Sequence, residues 1–329
     1  MTQVVATTTG LYPLPDWAKD ELANLKGHQR SDLIDGSEGE AIVSTYEAAR
    51  EDVIEAQQSA GLDRIVEGQL RWDDMLAHPL SVHDAVETRG IVRYFDNNNF
   101  YREPVVEGEL TFDGDIGAEL DAAAAFVDGG LQAVLPGPYS LADLATDEYY
   151  GDEAAFLDAI ADFLAEETGA FPEIETLFLL EPSLVTDPPA DGGEQASEAI
   201  DTVADAIDAD VVVQTYWGAL EEKVYAYLLD ADIDAVGHDL VTDHEGAITN
   251  VNEYGTTDDV ALGLVDGQNT LVETPAEIRE RIEWFLGETT NDFETIYATP
   301  NTELLYLPDN KFEAKLDALA AATTEAIDQ

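Results

Sequence analysis

The chain has 329 residues, 45% of them apolar, which suits one large domain with a sizeable core and argues against disorder. Its 71 acidic and 14 basic residues give a formal charge of −57, so it lacks the basic surface that binding to nucleic acid requires. It contains no cysteine, which excludes disulfides, a thiol nucleophile and any thiolate–zinc site.

The acidic residues are spread over the whole chain and form no single patch, a balance associated with halophiles. In molar salt the Debye length falls to ~3 Å, which screens the self-repulsion of such a chain. No apolar stretch approaches the ~18 residues of a membrane span. The first residues lack the basic and apolar segments of a secretory signal. We therefore expect a cytoplasmic, salt-adapted protein without a membrane partner.

Eight short apolar runs, most of them separated by stretches of helix length, predict parallel strands alternating with helices. The runs occupy residues 4–8, 64–67, 132–135, 177–180, 211–213, 235–241, 261–265 and 295–298. Each run ends in polar residues or a glycine turn, and a closed parallel barrel places all such endings on one face. We predict an α/β fold, a single (β/α)8 TIM barrel over residues 1–329. The competing doubly wound sheet normally has a glycine-rich turn after its first strand, which residues 7–13 lack.

Helical spacing and end signals predict the connecting helices. They fall at residues 38–61, 141–169, 194–206, 220–231, 274–286 and 312–327. Gly61 suits a helix terminator, and Thr274 with Pro275 and Glu277 suits a helix start. Residues 90–114 depart from this rhythm: two extended runs flank an asparagine-rich turn, and residues 105–112 alternate. We predict a β-hairpin-like insertion there, after the second βα unit.

Several strand endings and loops carry groups that can bind or react. The substrate-binding candidates are Gln69, Asp96, Asn98, Glu181, Gln214, Tyr216, Asp239, Asp266 and Asn269. Glu181 leaves a strongly apolar run and precedes a proline, which favours a role in a site. Asp266 and Asn269 suit either a polar substrate or an ordinary turn. His238 and Asp239 point to opposite faces of their strand, so they do not form an acid–base pair, and His238 is expected to be structural. Glu181 with Asp239 would suit a hard cation, although chance carboxylate clusters are common among 71 acids.

Ordered motifs along nearly the whole chain resemble the cobalamin-independent methionine synthases, and in particular their N-terminal barrel. The most specific are the Gly-Leu-Val-Asp-Gly-Gln-Asn run at 263–269 and the Thr-Tyr-Trp-Gly-Ala-Leu run at 215–220. Further segments follow in matching order at residues 61–75, 94–98, 135–138, 181–184 and 300–308. The resemblance implies a barrel that takes part in methyl transfer from a methyltetrahydrofolate-type donor to homocysteine, in methionine formation.

In that family, the resemblance implies, a C-terminal barrel holds zinc through a histidine, a glutamate and two cysteines, and the metal activates the homocysteine thiol. Gln214, Tyr216 and Asn301 or Thr302 lie here roughly where the histidine and cysteines would be needed, and Gln69 replaces the family's glutamate. Amide and phenol groups do not replace thiolates around tetrahedral zinc. We therefore expect no metal in this chain and a separate zinc-bearing homologue as its partner.

The same resemblance implies that Asp96 and Asn98 fix the asparagine-rich turn and that the N-terminal barrel receives the glutamate tail of the folate. An anionic tail needs cations, and the best candidates are the arginines of the first third of the chain: Arg71, Arg89, Arg93 and Arg102. Two other functions remain open at this point. One is a zinc-independent methyltransferase that uses a corrinoid or another methyl donor, and the other is a non-catalytic ligand-binding or regulatory barrel.

Overall fold

The computed structural model of the chain describes residues 2–24, 38–72, 74–95, 99–190 and 193–324. The strands in these ranges are β1 Gln3–Ala6, β2 Ile65–Val66, β3 Val86–Arg93, β4 Phe100–Val106, β5 Leu131–Pro136, β6 Thr146–Asp147, β7 Thr176–Leu180, β8 Asp210–Gln214, β9 Ala235–Asp239, β10 Asp259–Val265 and β11 Thr295–Pro300. The helices are α1 Asp16–Asn24, α2 Glu40–Ala60, α3 His78–Ser81, α4 Asp115–Ala124, α5 Pro138–Asp143, α6 Glu153–Thr168, α7 Ser183–Thr186, α8 Glu194–Ala204, α9 Glu222–Leu228, α10 His244–Tyr254, α11 Pro275–Glu288 and α12 Asp309–Thr323.

Eight of the described strands form one curled parallel sheet, consistent with a TIM-like barrel. Their order is β1-β11-β10-β9-β8-β7-β5-β2. The two edge strands approach each other, because the Ala6 carbonyl accepts hydrogen bonds from the amides of Asp63 and Arg64. Phe178 of β7 and Tyr297 of β11 meet edge to face at 6.1 Å although three strands separate them in the sheet. That contact crosses the interior of the curled sheet, so the interior is packed with side chains.

Each of the eight predicted apolar runs overlaps one strand of this sheet, so the coarse α/β prediction is confirmed. The apolar runs identify these strands well because a strand covered on both faces is apolar at nearly every position. All five residues of β7 and all six of β5 are buried. None of the helices in the described part of the chain has both the length and the apolar character needed to cross a bilayer.

Two helix ends form as their sequence signals predict. Gly61 follows α2 with φ of 88°, and its amide donates to the carbonyls of Gln57 and Gln58. Only a glycine adopts that left-handed conformation without strain. Thr274 precedes α11 in a capping box, in which its side chain accepts from the Glu277 amide and the Glu277 carboxylate accepts from the Thr274 amide.

The predicted helix at 141–169 is wrong in its first third. The structure places α5 and β6 there, and α6 begins only at Glu153. Gly151 has φ of +74°, which interrupts a helix, and Asp152 caps the new one by accepting from the Ala155 amide. The helices α1, α4 and α10 were not predicted. The α10 sequence is largely polar, so its apolar stripe is weak, and the Asp243 side chain caps its start by accepting from the Gly246 amide.

A small second sheet occupies part of the predicted insertion. Strands β3 and β4 pair antiparallel, and β4 pairs in parallel with β6. The pair spans 86–106 and lies between β2 and α4, whereas the sequence predicted 90–114 after the second βα unit. The alternating run at 105–112 leaves the strand after Val106. Beyond that point the amides of Asp113 and Gly114 donate to the Glu167 carboxylate, which holds the chain against α6 and away from the sheet.

Candidate functional site

Glu181, immediately after β7, is fully buried at the carboxyl end of the barrel. Its carboxylate accepts hydrogen bonds from the Tyr139 amide at 2.9 Å and from the Ser140 amide and hydroxyl at 2.7 and 2.6 Å. Burial raises its pKa to about 7, although the hydrogen bonds from Ser140 and Tyr139 oppose that shift. A Cβ on Gly137 would lie 2.2 Å from the Glu181 carboxyl carbon, so only glycine fits there. Glu181 therefore anchors the loop after β5.

Asp239, the last residue of β9, holds three loops together by hydrogen bonds. Its Oδ1 accepts from the amides of Val241 and Thr242 and from the Asn301 side chain, and its Oδ2 accepts from the Trp217 amide. These donors come from the loops after β8, β9 and β11. Four hydrogen bonds leave little of the carboxylate available to a ligand.

His238, one residue earlier, faces away from the barrel interior. Its ring packs between Tyr225 of α9 and Phe285 of α11, with ring centroids 5.8 and 6.2 Å away. Burial lowers the pKa of His238 to about 4, which keeps the imidazole neutral. The alternation of a strand thus separates this histidine from Asp239, as the sequence predicted.

Within the described part of the chain, four side chains at the same end of the barrel have a buried polar atom without a hydrogen-bond partner. One is the half-buried Trp217, through its Nε1. The other three are at most 1% exposed: Gln214 through Oε1, Tyr216 through its hydroxyl and Glu303 through Oε2. Such atoms cost free energy unless a ligand or water meets them. They mark the region between the loops after β8 and β11 as the place where a polar molecule would be stabilised.

Glu303 was not predicted. Its Oε1 accepts from the Gln268 side chain at 3.0 Å, and burial raises its pKa to about 8. Burial, together with the neighbouring carboxylates of Glu303 and Glu181, raises the pKa of Tyr216 well above its usual value. The only sequence signal for Glu303 was its position three residues after the last barrel strand.

Gln69, after β2, holds the first loop of the barrel. Its Oε1 accepts from the Leu11 amide at 2.7 Å, and its own amide donates to Glu67. Gln69 and Leu11 both have positive φ, as do Phe95 and Trp217. Strained backbone of this kind often gathers at functional sites. Leu11, Gln69 and Trp217 lie in loops that follow barrel strands, and Phe95 lies between the two strands of the second sheet.

Asp266 and Asn269 stabilise the turn in the loop after β10. The Asp266 side chain accepts from the Gln268 amide, and the Asn269 side chain accepts from the Leu271 amide. Asn269 is exposed, whereas the three partnerless buried groups lie deeper. The turn interpretation explains both side chains. The predicted pair Asp96 and Asn98 lies outside the described residues.

The arginine candidates do not form one anion site. Arg71 is held by the carboxylates of Glu38 and Glu119 and lies over the Tyr46 ring. Arg89 contacts three further carboxylates, those of Glu87, Glu107 and Glu148. Both guanidinium groups are therefore already neutralised.

Arg93 and Arg102 lie on β3 and β4, the two strands of the hairpin, and both are exposed. They therefore belong to the second sheet and not to the barrel itself.

A cavity of about 240 Å³ opens between the hairpin and the barrel rim. Four aromatic residues contribute to its wall: Tyr94, Phe95, Tyr101 and Trp217. Arg93, Asp143 and Asp187 supply its charged groups. Its remaining wall comes from Leu76 before α3, from the end of α5 and from residues 182–187, which include α7. The cavity thus adjoins the partnerless groups through the loop that carries Tyr216 and Trp217.

Buried acids and amides gather at the carboxyl ends of the parallel strands. Proteins with an α/β barrel have their functional sites on that face, so these residues define a barrel protein with its site there. The chain belongs to the cobalamin-independent synthases: the family's N-terminal domain matches residues 83–287.

Known relatives agree with this assignment. A methionine synthase of Sulfurisphaera tokodaii is 22% identical over 306 residues, which cover 92% of this chain and 86% of the relative. A 5-methyltetrahydropteroyltriglutamate–homocysteine methyltransferase of Salinibacter ruber is 30% identical over 241 residues, which cover 68% of this chain but 29% of the relative. The fold is shared with a B12-independent methionine synthase from Shewanella sp. W3-18-1 in complex with selenomethionine. That structure has a TM-score of 0.79 at 18% identity, with 97% and 96% of the two chains covered.

Proposed function

We propose that this protein takes part in methyl transfer to homocysteine, in methionine biosynthesis, together with a separate zinc-bearing chain that activates the thiol. The observation that carries the proposal is the combination of family membership over residues 83–287 with a barrel rim whose acids and amides hold the protein's own loops. Homocysteine or methionine and a methyl donor are the proposed small-molecule partners.

The donor groups at the rim do not suit tetrahedral zinc. Both Glu181 oxygens accept hydrogen bonds, and Asp239 accepts four. Gln214 and Asn301 offer neutral amides, which are poor zinc ligands, and the sequence has no thiolate to add. Over the described ranges, no three histidine, aspartate or glutamate side chains are arranged to hold a metal ion. The proposal therefore assigns thiol activation to the partner and derives no metal step in this chain.

A polyanionic folate tail would bind this chain weakly. The net charge of −57 repels it, and Arg71 and Arg89 are neutralised by carboxylates. A folate-type donor therefore depends on cations of the partner chain, or a donor of different charge replaces it. A corrinoid donor and a purely ligand-binding role are the outcomes that the experiment below separates from the proposal.

We further propose that residues 1–329 form one (β/α)8 barrel with a β insertion that contains the paired strands of residues 86–106, and that the protein works in a salt-rich cytoplasm. The main-chain bonds between Ala6 and residues 63–64 support a closed barrel. The acidic composition supports salt adaptation, because high ionic strength screens the repulsion.

The test is reconstitution in molar potassium chloride with a cysteine-containing zinc homologue, homocysteine and methyltetrahydrofolate. We expect little methionine from either chain alone and at least ten-fold more from the two together. Vigorous turnover by this chain alone would refute the division of labour, and an unchanged rate on adding it to the zinc chain would refute participation. Repeating each arm with methylcobalamin identifies a corrinoid donor.

Tyr216→Phe tests whether the rim itself is used. The Tyr216 hydroxyl is buried and has no partner, so its removal should leave the free energy of unfolding unchanged or slightly higher. We expect the reconstituted rate to fall. Tyr227→Phe, on the face of α9 near Lys223, is the matched control and should leave the rate unchanged.

A further inference from the structure

We propose that the cavity between the hairpin and the barrel rim binds a small methylated onium zwitterion, a molecule that has a quaternary ammonium or sulfonium group and a carboxylate. The site is distinct from the partnerless groups inside the rim. The role of the bound molecule as the methyl source rests on the function proposed above, whereas binding itself does not.

The aromatic wall is the first observation. Two ring pairs line the same cavity: Tyr94 with Tyr101, centroids 4.5 Å apart, and Phe95 with Trp217, centroids 5.7 Å apart. Aromatic faces attract methylated cations electrostatically, and cages of such rings are the usual way in which proteins recognise quaternary ammonium groups. A methylated onium has no N–H donors, so it gains more from ring faces than from hydrogen-bond acceptors.

The charged groups of the wall are the second observation. Asp143 and Asp187 both line the cavity and add negative potential beside the rings, while Arg93 lies on the same wall. This arrangement suits a zwitterion, with its onium group toward the rings and carboxylates and its own carboxylate toward Arg93.

The size of the cavity is the third observation. Its volume of about 240 Å³ is below the ~300–1,000 Å³ of pockets that enclose drug-sized ligands. A pterin with its aminobenzoate would not be enclosed, whereas a molecule of eight or so heavy atoms would be. The enclosed space therefore suits a compact onium, and a folate donor would extend beyond it.

An onium bound here would carry a transferable methyl group. In such a transfer the bond from the methyl carbon to nitrogen or sulfur breaks, and its electron pair remains on the heteroatom. The new bond forms to the homocysteine thiolate supplied by the zinc-bearing partner. The donor leaves as a neutral tertiary amine or thioether, and no further proton or electron is required.

The test compares charge at constant shape in the full-length protein alone. Trimethylglycine and 3,3-dimethylbutyrate have the same outline, but the second has a neutral carbon in place of the ammonium nitrogen. Ligand-methyl saturation-transfer NMR and calorimetric titration in potassium chloride should give at least ten-fold tighter binding of trimethylglycine. Dimethylsulfonioacetate, measured in parallel, distinguishes a sulfonium site from an ammonium site. Equal affinity for the neutral isostere and both onium ligands, or no binding of either onium, would overturn the proposal.

Two variants locate the binding. Tyr101→Leu removes a ring face and should weaken trimethylglycine binding at least five-fold, whereas Tyr101→Phe keeps the ring and should bind as the unaltered protein does. Because these measurements need no partner chain, their failure is separate from any failure of methyl transfer in the reconstituted system. Unchanged binding by a folded Tyr101→Leu protein would place the ligand elsewhere and refute the assignment.

Discussion

Removing the Asp239 carboxylate should destabilise the protein more than removing any comparable acid of a surface turn. The Asp239→Ala protein would lose the acceptor for four donors: the amides of Trp217, Val241 and Thr242 and the Asn301 side chain. Three of these bonds are only partly buried, so each lost bond is counted at about 1 kcal/mol, the net contribution of an ordinary hydrogen bond. The sum is about 4 kcal/mol, a large part of the stability of most domains.

Asp239→Asn separates the charge from the shape. The amide oxygen can still accept the three bonds of Oδ1, but its NH2 group then faces the Trp217 amide, and two donors oppose each other. The loss of one charge-assisted hydrogen bond is worth about 1.5–3 kcal/mol. We therefore expect the free energy of unfolding to fall by about 2 kcal/mol for the asparagine variant and by about 4 kcal/mol for the alanine variant.

Urea denaturation in molar potassium chloride, followed by circular dichroism, gives these free energies by linear extrapolation. Urea is the suitable denaturant because it leaves the ionic strength constant. Asp266→Ala is the matched control, since the described contacts of its side chain include one amide, that of Gln268, and its loss should cost about 1 kcal/mol. If Asp239→Ala were no more destabilised than Asp266→Ala, the conclusion that Asp239 ties three loops together would be wrong.

Three further outcomes follow from the structure. Gly137→Ala should unfold at a clearly lower urea concentration, because its Cβ would lie 2.2 Å from the Glu181 carboxyl carbon. The control Gly287→Ala places its Cβ where nothing lies within 4 Å, so it should be neutral or slightly stabilising. Equal urea midpoints for the two variants would contradict this. Burial raises the pKa of Glu303 to about 8, so above pH 4.5 the unfolded chain loses this proton before the folded one does, and stability falls as pH rises toward 8. Glu303→Gln should remove up to about 1.4 kcal/mol per pH unit of that slope, and an unchanged slope would show that Glu303 is ionised at neutral pH. Dilution from molar salt to ~0.01 M lengthens the Debye length from ~3 to ~30 Å, so the unfolding temperature should fall steeply; a midpoint independent of salt would contradict a repulsion-limited fold.

The barrel strands were predictable because a strand buried on both faces has a nearly continuous apolar sequence, whereas a strand with one face in solvent alternates apolar and polar residues. The helices α2 and α11 were predictable because Gly61 and Thr274 provide explicit end signals. By contrast α10 has few apolar positions, and its start depends on Asp243, one aspartate among many acids. In a chain so rich in aspartate, a capping residue gives little information until its hydrogen bond is seen.

The site was predictable in position and less so in role. Strand endings pointed to Glu181 and Asp239, but whether their oxygens face a ligand or a backbone amide depends on loop paths that sequence does not specify. The buried Oε2 of Glu303 and hydroxyl of Tyr216 became notable only through their lack of partners. The cavity needed β3 and β4 to be placed against the rim, and long-range packing of that kind has no local sequence signal.

The crowding of carboxylates around single arginines has a consequence for how this chain tolerates change. Arg89 contacts three glutamates and Arg71 two. Replacing one glutamate leaves each guanidinium with a remaining counter-charge, whereas replacing the arginine leaves several anions facing one another. Neutral drift in this lineage should therefore exchange acids freely and preserve its few bases.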